Sequence, residues 1–198
     1  MNKKKIALII NIIILIVELI GFGRSIFIDR DFSLSYYTND SNILALISSL
    51  LFIIFYKKDI ELVKDVRFVA TSCLTVTFIV VIFILCPMYN FNYKLLMFTD
   101  NFLLFHTIVP ILSIFSYLVL EDRSSKNYLC LIFTIIYSVI LLSMNILCLI
   151  EGPYPFLMVR NQSPLMTLLW GALIIGGSYL VGIGLNYLNK KIQKGAKK

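Results

Sequence analysis

Residues 6–28 read IALIINIIILIVELIGFGRSIFI and follow directly on the triplet Lys3-Lys4-Lys5. Crossing about 30 Å of hydrocarbon takes roughly 20 apolar residues in a helix, and this run supplies them. A secretory leader also pairs basic residues with an apolar stretch, but it closes on a small-residue cleavage site. Glu18, Gly21, Gly23 and Arg24 stand in that place, so the segment reads as a retained first span. Working outward, comparable runs lie near 36–56, 67–87, 96–120, 127–150 and 164–188. The connections are too short for a soluble domain. Residues 1–198 therefore read as a single transmembrane domain: an all-α, polytopic membrane protein built as a bundle of six transmembrane helices.

Composition agrees. The chain is 59% hydrophobic and 15% charged, where soluble domains sit near 45–50% and about 25%. A net charge of +7 raises nucleic acid as a partner, and its distribution argues against that. Lys3–Lys5, Lys57, Lys58, Lys64, Arg67, Arg123, Lys126, Lys190, Lys191, Lys194, Lys197 and Lys198 fall at one face of the predicted bundle. Only Arg24, Arg30, Lys94 and Arg160 fall at the other. This is the positive-inside pattern, which places both termini in the cytoplasm. The expected location is the plasma membrane, with membrane lipids as partners.

Cys73, Cys86, Cys130 and Cys148 lie within predicted spans without CxxC spacing, and read as small apolar core residues. Cys86 and Cys148 both approach the outer face, which leaves a bridge between them open. Tyr89, Phe91, Tyr93, Tyr154 and Phe156 suit an interfacial aromatic belt. Helix 6 pairs Ala172 with Gly176 and Ser178 with Gly182. Small residues at that spacing let backbones approach, either within the bundle or across a dimer. No pair of broken helices in corresponding halves points to an inverted-repeat carrier.

Two polar islands interrupt the apolar runs: Tyr36-Tyr37-Thr38-Asn39-Asp40-Ser41-Asn42 and His106-Thr107-Ile108-Val109-Pro110. Polar groups inside a membrane segment are costly and mark protein interiors and functional sites. Thr38, His106 and Glu18 lie roughly 20–27 Å above the cytoplasmic ends of their helices, in the outer half. By helical spacing Thr38, Ser41, Asn42, Ala45 and Ser49 share a face, as do Thr99, Leu103, His106, Pro110 and Ser113, and Asn11, Glu18 and Ser25. Three converging stripes would enclose a pocket, and Pro110 removes the donor for the His106 carbonyl.

A threonine hydroxyl becomes a useful nucleophile beside a general base, and His106 is the one histidine in the chain. Its unperturbed titration near neutrality suits the transfer of a proton out and back. Asn42, Ser41 or the first amides of helix 2 are candidates to support an oxyanion, with Asp40 and Glu18 as further supporting residues. Structural roles compete with these: Thr38 as the N-cap of helix 2, His106 bonded to a neighbouring helix, and Glu18 as a protonated carboxyl bonded to Asn or Tyr. One histidine and scattered thiols do not make a metal site, phosphate-binding glycine loops are absent, and no cofactor is expected.

Thr38 within its aromatic-aromatic-threonine island, His106-Thr107-Ile108-Val109-Pro110 and Gly152-Pro153-Tyr154-Pro155-Phe156-Leu157 occur in that order. Together they resemble the androgen-induced and androgen-dependent TFPI-regulating family of six-helix membrane proteins, with this chain as a distant, microbial-type member. Animal members are threonine hydrolases that cleave fatty acid esters of hydroxy fatty acids. The resemblance implies a nucleophilic Thr38, an essential His106 and a fatty-acyl ester substrate. Residues 39–42 are more polar than the animal pattern, and Gly152-Pro153 replaces a bulkier pair. The expected function is intramembrane lipid-ester hydrolysis. The alternatives are a proton-linked transporter or small-molecule-binding protein using Glu18 and His106, and a non-catalytic assembly protein.

Overall fold

The computed structural model describes residues 2–122 and 125–195; Arg123, Lys197 and Lys198 of the charge pattern lie outside them. It contains six helices long and apolar enough to cross a membrane: α1 (Lys3–Asp29), α2 (Tyr37–Ile54), α3 (Glu61–Met88), α4 (Asp100–Leu120), α5 (Leu129–Ile146) and α6 (Pro164–Gly195). No strand occurs among the described residues. The all-α bundle expected from the apolar runs is the fold.

Local chemistry sets the helix ends. The Asn2 side chain accepts from the Lys4 amide and caps α1, and Arg30 closes it in the left-handed region at φ 56°. α3 is the hub, packing against α2, α4, α5 and α6, while α1 leans on α2 and along α4. The largest core cluster gathers Tyr37, Cys73, Val81, Leu96, Tyr137 and Phe156, among others, at one end of the bundle. Ile14, Ala45, Phe52, Leu74 and Val109 fill the middle of the α1–α4 side.

Several helix boundaries differ from the sequence reading, α5 for one ending at Ile146 rather than 150. α4 starts at Asp100 rather than 96, because Thr99 is extended and Asp100 takes φ 46°. The residues before it form a separate short helix, Tyr93–Phe98, capped by the Asn92 side chain. α3 starts at Glu61, so Arg67 is not a loop residue in the basic face. It is fully buried and pairs with Glu121 at 3.1 Å. α6 runs on to Gly195, since Asn189 donates to the Tyr117 and Glu121 carbonyls and Gln193 to that of Leu118. Those bonds satisfy the carbonyls that end α4.

The small residues of α6 divide. Ser178 meets Thr134 at 3.2 Å, and Gly182 lies hard against Cys130. Ala172 and Gly176 instead face outward. Cys73, Cys86, Cys130 and Cys148 are all free.

Candidate active site

Thr38 is the second residue of α2. Tyr36, not Thr38, occupies the N-cap position, and it offers no side-chain cap. The threonine hydroxyl is thereby released from backbone duty. It lies 3.2 Å from Nε2 of His106, so the two polar islands, far apart in sequence, meet in the bundle.

The short helix Tyr93–Phe98 explains the orientation of His106. The last carbonyls of a helix lack intrahelical donors. Here Thr99 Oγ1 donates to Leu95, His106 Nδ1 to Leu96 at 2.6 Å, and Thr107 Oγ1 to Met97. A backbone carbonyl accepts and never donates, so Nδ1 carries the hydrogen. Nε2 is then left with its lone pair toward Thr38. Phe102 stacks on the imidazole at 5.0 Å and 14°, and the residue is only 4% exposed. Position and tautomer are both set.

α4 winds wide through this stretch, with π-helical turns over Leu103–Ile108 and a Val109 amide bonded to the Leu104 carbonyl. Such turns precede Pro110, which has no amide to offer the His106 carbonyl. The donor missing at Pro110 is accommodated by these wide turns, and turns of the kind recur at functional sites.

The supporting residues divide. Asn42 Nδ2 donates to the Thr38 carbonyl at 2.7 Å and to that of Phe105 at 3.4 Å, while Ser41 Oγ donates to the Thr38 carbonyl and meets Thr77. Both brace the Thr38 backbone, so the donors expected to support an oxyanion are bonded here to main-chain carbonyls. Asp40 is half-buried and makes no side-chain hydrogen bond among the described residues. Glu18 is fully buried, and neither carboxyl oxygen has a hydrogen-bond partner among the described residues. The expected Asn or Tyr partner is not there. The other polar groups of α1 also go elsewhere: Asn11 bonds Ser116, and Ser25 bonds Asn101. Two polar stripes converge, not three.

A cavity of about 80 Å³ opens beside Thr38, lined by Val81, Leu85, Phe156, Trp170 and Ile174 among others. The pocket expected from the polar stripes would have been enclosed by helices 1, 2 and 4. The lining of this cavity comes instead from α2, α3, α5, α6 and the 154–157 turn, with none from α4. His106 meets Thr38 without being part of the cavity wall.

Tyr154 was read as part of an interfacial belt. It is buried, it lines the cavity, and its Oη accepts the Thr38 amide at 3.5 Å. The signal was present in the compact Gly152–Leu157 segment. A Cβ on Gly152 would collide with the Leu157 carbonyl, so the segment folds back tightly enough to carry Tyr154 inward.

Among the described residues no three His, Cys, Asp or Glu side chains gather as a metal site would require. Comparison of the chain with family models, with curated proteins and with solved structures finds no match.

Proposed function

We propose that this chain is an intramembrane hydrolase of fatty-acyl esters, with Thr38 as nucleophile and His106 as general base. The observation that carries the reading is the 3.2 Å approach of Thr38 Oγ1 to His106 Nε2, with Nδ1 held by the Leu96 carbonyl. A hydroxyl, an unprotonated ring nitrogen and a third group that orients the ring form the nucleophile–base pattern in general. The apolar cavity on the open side of Thr38 suits an acyl chain. The motif resemblance to the androgen-induced family points the same way.

In the first half-reaction Nε2 takes the Thr38 proton while Oγ1 bonds to the acyl carbon. The carbonyl π pair moves to its oxygen. Collapse of that intermediate breaks the ester C–O bond, and the departing alcohol oxygen receives the proton from Nε2. Water then attacks the acyl-threonine with the same histidine as base, releasing the acid and restoring Thr38. In this reading the protein is a multi-pass component of the plasma membrane with cytoplasmic termini, and it needs no cofactor.

The test is fluorophosphonate labelling of membranes carrying the parent, Thr38→Ala and His106→Ala proteins. Labelling of the parent alone is expected. Equal labelling of Thr38→Ala removes the mechanism.

One observation favours a second reading. A buried carboxyl with no hydrogen-bond partner among the described residues, as at Glu18, is a common element of proton-coupled carriers. Proton-driven flux in vesicles that survives Thr38→Ala and disappears in Glu18→Gln would favour that class instead.

A further inference from the structure

Tyr154 stands against Thr38 with no part in the proton transfer. Its ring is held edge-on by Tyr36 at 6.0 Å and stacked on Phe156 at 5.1 Å and 11°. The phenol oxygen is thus fixed at the first turn of α2. The first amides of any helix have no intrahelical acceptor. In α2 the chain of helical bonds begins with the Asp40 amide on the Tyr36 carbonyl, the N-cap residue Tyr36 offers no side-chain cap, and the Thr38 amide turns to the Tyr154 phenol oxygen instead. Nucleophile, first-turn amides and phenol therefore occupy one corner, at the wall of the apolar cavity.

An acyl chain seated in that cavity presents its carbonyl to Thr38 from a wall that Tyr154 shares and His106 does not. We infer that Tyr154 is a further catalytic residue: its Oη–H and the Thr38 amide bind the oxyanion formed as Oγ1 attacks. The inference rests on the hydrolase reading. The step adds no proton transfer. The π pair of the carbonyl becomes an alkoxide lone pair, the phenol donates a hydrogen bond to it, and the pair returns when the C–O bond breaks. The Thr38 amide nitrogen lies 3.5 Å from the phenol oxygen, so one oxyanion beside both accepts from the two donors. Burial pushes the Tyr154 phenol up to about 12, so it stays a neutral donor across the working range.

The experiment uses purified full-length protein in detergent micelles with p-nitrophenyl octanoate and the matching thionoester, whose sulfur accepts hydrogen bonds poorly. Tyr154→Phe keeps both ring contacts. Its kcat on the ester should fall 10²–10³-fold, roughly the loss seen when one oxyanion donor is removed, with KM and melting temperature little changed. The parent should turn over the thionoester slowly, and Tyr154→Phe should cost little further there. A kcat for Tyr154→Phe within about threefold of the parent overturns the assignment, as does a loss carried by KM. So does a parent that hydrolyses thionoester and ester at equal rates, a result independent of whether the variant folds. If Thr38→Ala hydrolyses ester as fast as the parent, the hydrolase reading fails and this one with it. If Thr38→Ala is inactive and Tyr154→Phe is not, only the phenol's role is lost.

Discussion

His106 is useful only because its other nitrogen is committed. The Nδ1–H···O=C bond to Leu96 fixes the tautomer, and the ring then has one place to receive a proton. Thr38 and His106 should behave as one unit. Either single alanine replacement should abolish ester turnover, and the double should cost little beyond the worse single. Additive losses in a double-mutant cycle of kcat/KM would show independent, structural roles. Tyr154 gives a second prediction at this scale, in pH. Its phenol ionises near 10 in the unfolded chain and is held up to about 12 by burial in the folded one. A raised folded value means the native state resists losing that proton. Its contribution is therefore intact below about 10 and is lost as pH rises toward 12. Melting temperatures of the parent and Tyr154→Phe, compared at pH 9 and 11.5, should show a steeper fall in the parent. Glu18 makes the opposite case: its buried carboxyl oxygens have no hydrogen-bond partner among the described residues. Glu18→Leu should raise stability by about 1–3 kcal/mol in chemical unfolding, the range for relieving a buried unsatisfied group.

The site stands on irregularities between helices rather than on any one helix. The break at Thr99–Asp100 frees the short helix Tyr93–Phe98 to place its last carbonyls against His106 and Thr107. Opposite, the turn after Gly152 carries Tyr154 under the start of α2. A Cβ at Gly152 meets backbone rather than a yielding side chain. Gly152→Ala should therefore shift the turn and cut kcat at least tenfold, about 1.4 kcal/mol of barrier, while far-ultraviolet circular dichroism stays unchanged. The other end of the bundle is tied by charge. Arg67 on α3 reaches Glu121 after α4, with Ser48 and Ser116 completing the cluster. Removing one member of a buried pair costs about 3–5 kcal/mol. Arg67→Ala should lose that much in unfolding measurements, and adding Glu121→Gln should restore a good part of it. An unchanged Arg67→Ala would mean that the pair contributes nothing to the fold.

For the whole molecule, the basic residues argue orientation. Among the described ones, Lys3–Lys5, Lys57, Lys58, Lys190, Lys191 and Lys194 gather at the end that carries both termini. The proposed topology puts that end in the cytoplasm and the Thr38 corner in the outer half of the membrane. Substituted-cysteine labelling should find positions 2 and 194 protected in intact cells and positions 34 and 162 open. External labelling at position 194 would reverse the model.

The sequence by itself determined the number of spans, the helical class and the two islands. Apolar run length and the cost of polar groups in hydrocarbon are local properties, readable residue by residue. It also marked Thr38 and His106 as a candidate pair. What it could not carry was direction. Whether Asn42 turns toward a substrate or toward the Thr38 carbonyl depends on where the Phe105 carbonyl of another helix stands. The partner of His106 Nδ1 is a backbone carbonyl ten residues away, available only because a helix breaks between them. Arg67 read as a loop charge until α3 began early enough to draw it inside. Tyr154 read as a membrane-surface aromatic until the Gly152 turn folded it against α2. In each case a backbone group or an ion pair from a distant segment decided the outcome. Such partners have no signature in composition or spacing, because every residue carries the same amide and carbonyl and only the tertiary fold chooses which ones meet.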